Sequence, residues 1–483
     1  MNLGISATEF TSQAKDGTIS VEEFVAKTLD RISKVESKVH AFISVDNTGA
    51  LAKAKEIDKK IQAKEKTGIL FGMPMAIKDN ICTAGLKTTC ASKILENFVS
   101  PYDATVISRL KSQDVIIIGK ANLDEFAMGS TTEHSYFGPS KNPWNTDYVP
   151  GGSSGGSGVA VSAKECLASL GSDTGGSVRS PASFCSIVGL KPTYGLISRY
   201  GLVSYSNSIE QIGPMARTVE DIGLILNIIS GHDPHDDTTA NNPHGDYLQD
   251  IKAGISGKKI GIISQMMGEG VDKQVESATK RAISKLESLG AQCIPISLDA
   301  IQHSVAAYYT IASAEASSNL ARYDNLRYGF DFGTEGYEFK AYVAKVRSNF
   351  GAEVTRRMLL GAFVLSAGYY GKYYLKAQKV RAMIKSQLDH AFKQVDFLVS
   401  PTMPILPFKI GEKIDDPLKM YLTDINTITA NLSGIPAISV PFEISSEGLP
   451  IGMQLFANSF EEKKLLQAAY ALQQTVKLPE VPL

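Results

Sequence analysis

Residues 150–180 read PGGSSGGSGVAVSAKECLASLGSDTGGSVRS, and the fold turns on whether this is a tether or a pair of structured turns. On composition alone PGGSSGGSG, residues 150–158, is a flexible Gly/Ser linker. Its surroundings oppose that reading. The segment runs into VAVSA without a change of composition, the strand candidate CLASLGS follows at 166–172, and GSDTGGSVRS at 171–180 repeats the same chemistry. Consecutive glycines reach positive φ and bring backbone amides close to a reacting oxygen, so two such turns flanking buried elements expose N–H groups to an anion.

Outward from this segment, apolar strand candidates alternate with amphipathic helices: FGMPMAIKD at 71–79, VIIIGKA at 115–121, KIGIISQ at 259–265, CIPISL at 293–298, DFLVSPT at 396–402, AISVPF at 437–442 and IGMQLFA at 451–457. Strands of this kind, separated by helices, indicate an α/β layered fold. Helix starts are marked by Ser20-x-x-Glu23, Thr218-x-x-Asp221 and Ser459-x-x-Glu462. Residues 1–66 read as an N-terminal helical region, 230–247 as a polar surface connection, and 299–395 as mostly helical and tyrosine-rich. One sheet assembled from both halves and two separate domains both fit this pattern.

The 483 residues carry 49 Lys+Arg against 50 Asp+Glu, a formal net charge of −1. Nonspecific nucleic-acid affinity comes from excess cations neutralising phosphates, so a chain this balanced needs a partner to supply such a contact. The cysteines Cys82, Cys90, Cys166, Cys185 and Cys293 are odd in number and never form C-x-x-C, which disfavours a disulfide framework or a zinc ribbon. The start lacks a basic and then apolar leader pattern, and no run approaches the length of a membrane span; the expected location is the cytoplasm.

A serine needs a base before it attacks a carbonyl, and the sequence offers two. Gly151-Gly152-Ser153-Ser154-Gly155 fits G-x-S-x-G, which calls for a downstream histidine. His232, His235, His244, His303 and His390 are available, none in a distinctive context, and those near Asp233, Asp236 and Asp237 lack a regular metal-ligand spacing. The alternative base is Lys78, at the end of the apolar run GMPMAIKDN. A salt bridge is the plain reading of such a lysine; as a base it must be neutral at pH 7, which costs about 4.6 kcal/mol unless burial or a neighbouring cation lowers its pKa.

Taken together, Lys78 in MPMAIKDN, PGGSSGGSG, and GSDTGGSVRSPASFCSIVGLKPTYG closely resemble the amidase signature family. The resemblance is dense over residues 70–215, and DFLVSPTMP and GLPIGMQL extend it over nearly the full chain. It implies one large α/β domain at 67–483, with a central mixed β-sheet covered by helices on both faces. It also implies a Ser-cisSer-Lys triad: Ser177 as nucleophile, Ser153 as bridging serine behind a cis Gly152–Ser153 bond, and Lys78 as base. The backbone N–H groups of Thr174, Gly175, Gly176 and Ser177 are the implied oxyanion hole. Ser154 and Ser157 are read as turn and packing residues.

Within the family, YYTIASAEASSNLARYDNLRYG at 308–329, RRMLLGAFVLSAGYYGKYYLKAQKVR at 356–381 and YLTDINTITANLSGIPAISVP at 421–441 are similar to the glutamine-hydrolysing subunits of tRNA-dependent amidotransferases. That similarity implies ammonia made for Glu-tRNA(Gln), Asp-tRNA(Asn) or both, with B and C subunits as partners and misacylated tRNA reached through B. No metal or cofactor is implied in this chain, ATP and Mg2+ being expected at a partner. Arg357 for the α-carboxylate, Asp424 for the α-ammonium and Tyr308 nearby are the implied glutamine-binding residues; on residue type alone Arg357 and Asp424 read as surface charges. A stand-alone amidase of small or aryl amides and a non-catalytic scaffold protein are the rival readings. Departures from the family pattern are Ser186 where glycine is more usual, Ile209 and Glu210 in SNSIEQIGP, and Thr131 in Ser130-Thr131-Thr132.

Overall fold

The computed structural model describes residues 2–241, 245–325, 328, 336–413 and 416–483. The strands are β1 Phe42–Val45, β2 Pro74–Lys78, β3 Ile116–Ala121, β4 Ala168–Asp173, β5 Val188–Lys191, β6 Gln211–Ala216, β7 Lys259–Ile263, β8 Gln292–Ile296, β9 Phe397–Pro401, β10 Ala437–Ile444 and β11 Pro450–Phe456. They form one 11-stranded sheet in the order β1-β3-β2-β4-β6-β5-β10-β11-β9-β7-β8. Pairing is mixed: β2 lies parallel to β3 and β4, β7 parallel to β8 and β9, and the remaining neighbours are antiparallel. Both halves of the chain therefore build a single sheet.

Alternation along the strands puts helices on both faces. In β9, Phe397 and Val399 join the core that holds Phe24, Ile222 and Leu465, whereas Leu398 joins the one that holds Ile311, Ile384 and Ile428. The first core is roofed by the N-terminal helices and Val219–Ile229, the second by Ser304–Leu320, Tyr374–Ala391 and Ile425–Ser433. Among the described residues no helix is long and apolar enough to cross a membrane.

Ser20 and Thr218 cap the helices they announce, accepting from the N–H of Glu23 and Asp221. Ser459 does not. The chain passes through a left-handed Phe460, the helix Glu462–Gln473 starts without a side-chain cap, and Glu462 turns inward to accept the Thr193 N–H at 2.7 Å. The stretch 1–66 holds the helices Ala7–Lys15, Val21–Val39 and Asn47–Gln62, and also β1, which becomes the sheet edge. The polar connection after residue 230 is pinned down: Arg109 donates to the carbonyls of Ile229, Ser230, Gly231 and His232, and Asp233 accepts from Ser198 at 2.5 Å. His232 and His235 bond within this loop, to Thr239 and Asp233; His244 lies outside the described residues.

Candidate active site

Parallel strands direct their C-terminal ends to one side, where a mixed sheet of this class leaves room for a site. Lys78 is the last residue of β2, flanked by β3 and β4 and fully buried. Its Nζ lies 2.7 Å from Ser153 Oγ, 2.8 Å from Ser154 Oγ, 2.9 Å from Ser172 Oγ and 3.3 Å from the Ser172 carbonyl. Its partners are hydroxyls and a carbonyl, with no carboxylate among the described residues, so the salt-bridge reading fails. Burial lowers its pKa to about 7, against the weaker pull of Asp124 and Asp173, and the amine loses its proton readily near neutrality. Ser154 is a turn residue, as expected, and also one of the lysine's direct neighbours, while Ser157 packs, donating to the Leu170 carbonyl at 3.1 Å.

Ser153 and Ser177 are brought together by their loops. The Ser154 N–H donates to the Ser177 carbonyl at 3.1 Å, and a Cβ on Gly152 would lie 3.0 Å from Ser177 Cα. Ser153 stands between those two touching residues. The Gly152–Ser153 bond, expected to be cis, is trans, as is every peptide bond among the described residues. The reversal is made instead by positive φ at Gly151 (85°) and Gly152 (38°), conformations open to glycine. Thr132 staples this turn, donating to the Gly152 carbonyl at 2.6 Å and accepting the Gly155 N–H at 2.9 Å. Lys78 thus bonds Ser153 directly, whereas Ser177 Oγ hydrogen-bonds to no described residue.

Asp173 organises the loop that carries Ser177. Its carboxylate accepts the N–H groups of Gly176 at 2.8 Å and Val178 at 3.1 Å, and is gripped by Arg179 Nε and Nη2 at 3.0 Å and by Asn431. Burial opposes its charge, yet the Arg179 guanidinium holds its pKa at about 2. Because the Gly176 N–H is committed to Asp173, it is not available to an oxyanion. The N–H groups of Thr174, Gly175 and Ser177 have no acceptor among the described residues. Both glycines are required by close approach: a Cβ on Gly175 would lie 2.6 Å from Tyr308 Oη, and one on Gly176 2.2 Å from Thr427 Oγ1.

Tyr308 therefore stands over this loop. Arg357 and Asp424 lie close by, both buried and not at the surface as residue type suggests. Asp424 accepts from Ser130 at 2.6 Å and from Tyr309, rather than Tyr308, at 2.9 Å; burial raises its pKa to about 6. Arg357 donates through Nε to Glu353 at 2.7 Å and through Nη1 to Tyr205 at 2.6 Å, and the rings of Tyr205, Tyr309 and Tyr421 lie within 5.8 Å of its guanidinium carbon. Tyr205 is itself held by Glu210, which accepts the N–H groups of Tyr205 and Ser206 at 3.1 Å. The sequence reading missed Tyr309, Ser130, Tyr205, Glu353, Ser172 and the Asp173–Arg179 brace. Of these, Glu353–Arg357 had a legible signal, an opposite-charge pair at i, i+4.

Known proteins resemble this chain over nearly its full length. The model of the Amidase family matches residues 23–466. The chain is 55% identical over 477 residues to the glutamyl-tRNA(Gln) amidotransferase A subunit of Cenarchaeum symbiosum (strain A), covering 99% of this chain and 98% of that one. It is 52% identical over 456 residues to the protein of the same name from Thermosynechococcus vestitus, covering 94% and 95%. The crystal structure of the glutamyl-tRNA(Gln) amidotransferase A subunit from Thermotoga maritima superposes with a TM-score of 0.84 at 43% identity, over 100% of this chain and 99% of that one.

Proposed function

This chain belongs to the amidase family, and from that premise we propose that it is the glutamine-hydrolysing subunit of a tRNA-dependent amidotransferase. The observation that carries the reading is a pair of buried opposite charges, Arg357 and Asp424, in one tyrosine-rich cluster beside the loop of Ser177. A free amino acid is a zwitterion and needs one fixed charge of each sign; a guanidinium grips a carboxylate with two parallel hydrogen bonds. Small neutral or aryl amides have no use for that pair.

Neutral Lys78 takes a proton from Ser153 as Ser153 takes one from Ser177. Ser177 Oγ attacks the glutamine γ-carbonyl. The developing oxyanion is met by the N–H groups of Thr174, Gly175 and Ser177, each well-placed donor contributing about 3–4 kcal/mol. The relay then runs backward: the lysine proton returns through Ser153 to the leaving nitrogen, ammonia departs, and a γ-glutamyl ester remains on Ser177. Water, deprotonated by the same relay, hydrolyses the ester to glutamate.

The ammonia passes to the partner B subunit, through which misacylated tRNA is reached and where ATP and Mg2+ are expected, with C as the further partner. The test is ammonia release from glutamine by the chain with its partner subunits, wild type against Ser177→Ala. Activity confined to wild type supports the reading. Turnover of neutral amides without glutamine turnover favours a stand-alone amidase, and Ser177→Ala activity equal to wild type overturns the nucleophile.

A further inference from the structure

Arg357 and Asp424 are both buried beside Tyr309, and buried opposite charges in one cluster gain by pairing with each other. They do not pair here. Arg357 is bound instead to Glu353, one turn earlier on the helix Ala352–Leu365. Glu353 is buried; its Oε1 accepts Arg357 Nε at 2.7 Å and Tyr421 Oη at 2.9 Å, and its Oε2 pairs with Arg356. Tyr421 in turn stacks on Tyr309 with ring centroids 3.7 Å apart, and Tyr309 Oη donates to Asp424. A continuous chain of contacts thus runs Arg357–Glu353–Tyr421–Tyr309–Asp424. Of the five guanidinium N–H groups, Nε is spent on Glu353 and one Nη1 hydrogen on Tyr205, which leaves three donors for a carboxylate.

We propose that Glu353 is a positioning residue that, by occupying Arg357 Nε, holds the guanidinium off Asp424, so that each of the two charges is kept for one end of a zwitterion. The proposal rests on the reading of glutamine as substrate. Without the Glu353 charge, Arg357 is drawn to Asp424, and a substrate must break that pair before its own ends can bind.

The test uses the chain with its partner subunits and compares wild type, Glu353→Gln and the double variant Glu353→Gln/Asp424→Asn. Glu353→Gln keeps an oxygen for Arg357 Nε and Tyr421, removes the charge, and replaces the oxygen that accepts from Arg356 with an amide donor, from which the partly exposed Arg356 turns to solvent. KM for glutamine is expected to rise on the order of ten-fold, the worth of one charge-assisted hydrogen bond, with a much smaller change in kcat. With glutaramate, which has the carboxylate and the amide but no α-ammonium, the double variant is expected to show a several-fold lower KM than Glu353→Gln, because the competing Arg357–Asp424 pair is gone. An unchanged KM in Glu353→Gln, a parallel loss of kcat on glutamine and on butyramide, or no recovery on glutaramate overturns the proposal. If Glu353→Gln does not fold, Tyr421→Phe, which removes one hydrogen bond to the same carboxylate, must raise KM for glutamine in the same direction. Wild type inactive on glutamine overturns the functional reading itself, whereas an active wild type with an unaffected Glu353→Gln overturns only the role of Glu353.

Discussion

Raising the proton concentration is the most direct perturbation of a lysine base. Burial places the Lys78 pKa at about 7, so the neutral fraction is roughly nine-tenths at pH 8, one-tenth at pH 6 and one-hundredth at pH 5. If neutral Lys78 starts the relay, kcat for glutamine falls with a limiting slope of one per pH unit below about 7. Asp424 adds a second effect confined to binding: with its pKa at about 6, it loses the charge that holds the α-ammonium as pH falls further, so kcat/KM drops more steeply than kcat below that value. The same lysine makes stability depend on pH. Its pKa is depressed from 10.5, so between pH 7 and 10.5 the unfolded chain binds more protons than the folded one and stability rises with pH. The penalty below pH 7 is about 5 kcal/mol by the same arithmetic. The assay is ammonia release at saturating glutamine across pH 5 to 9, paired with thermal melts of wild type and Lys78→Met. A flat kcat from pH 5 to 8 would refute the lysine as base, as would a wild-type melting temperature that does not gain on Lys78→Met from pH 7 to 10.

Three further outcomes follow from the packing. Arg179→Met leaves buried Asp173 without its cation and is expected to destabilise the fold by about 3–5 kcal/mol, read from denaturant midpoints; a loss under 1 kcal/mol contradicts the brace. Gly176→Ala abolishes glutamine hydrolysis, since the added Cβ would lie 2.2 Å from Thr427 Oγ1 and the residue sits at φ 130°; kinetics equal to wild type would show the loop to be slack. Ser186→Gly is expected to stabilise the chain by about 0.5–1 kcal/mol, because Ser186 occupies left-handed backbone at φ 57°, and an unchanged melting temperature contradicts this.

The strands legible from the sequence are those with a sustained apolar run, and most of them carry no Asp or Glu within the strand observed. Two do: β4 ends on Asp173, the residue that organises the nucleophile loop, and β10 carries Glu443 near its solvent end, where it pairs with Arg281. The strands missed are short or broken by residues that strands avoid: β1 is four residues at an edge, β5 is VGLK, and β6 is QIGPMA with glycine and proline inside it. Each is fixed by its neighbours rather than by its own pattern. Lys78 could be found because a lysine ending an apolar strand conflicts with its own hydration. Ser177 and the bridging role of Ser153 are implied only by the family resemblance, since G-x-S-x-G marks Ser153 for a histidine-based site and Gly/Ser composition alone also describes a linker. The aromatic cluster was out of reach of sequence spacing: Tyr309 meets Asp424 from 115 residues away and Ser130 reaches the same carboxylate from 294 residues away.

Ser177 as the attacking atom is tested most directly by quenching the enzyme in acid during glutamine turnover and mapping the acylated peptide by mass spectrometry. The account predicts a glutamyl ester on Ser177, formed in wild type and strongly reduced when Ser153 is replaced by alanine. An ester on Ser153 or Ser154, or steady turnover with no ester formed at all, contradicts it.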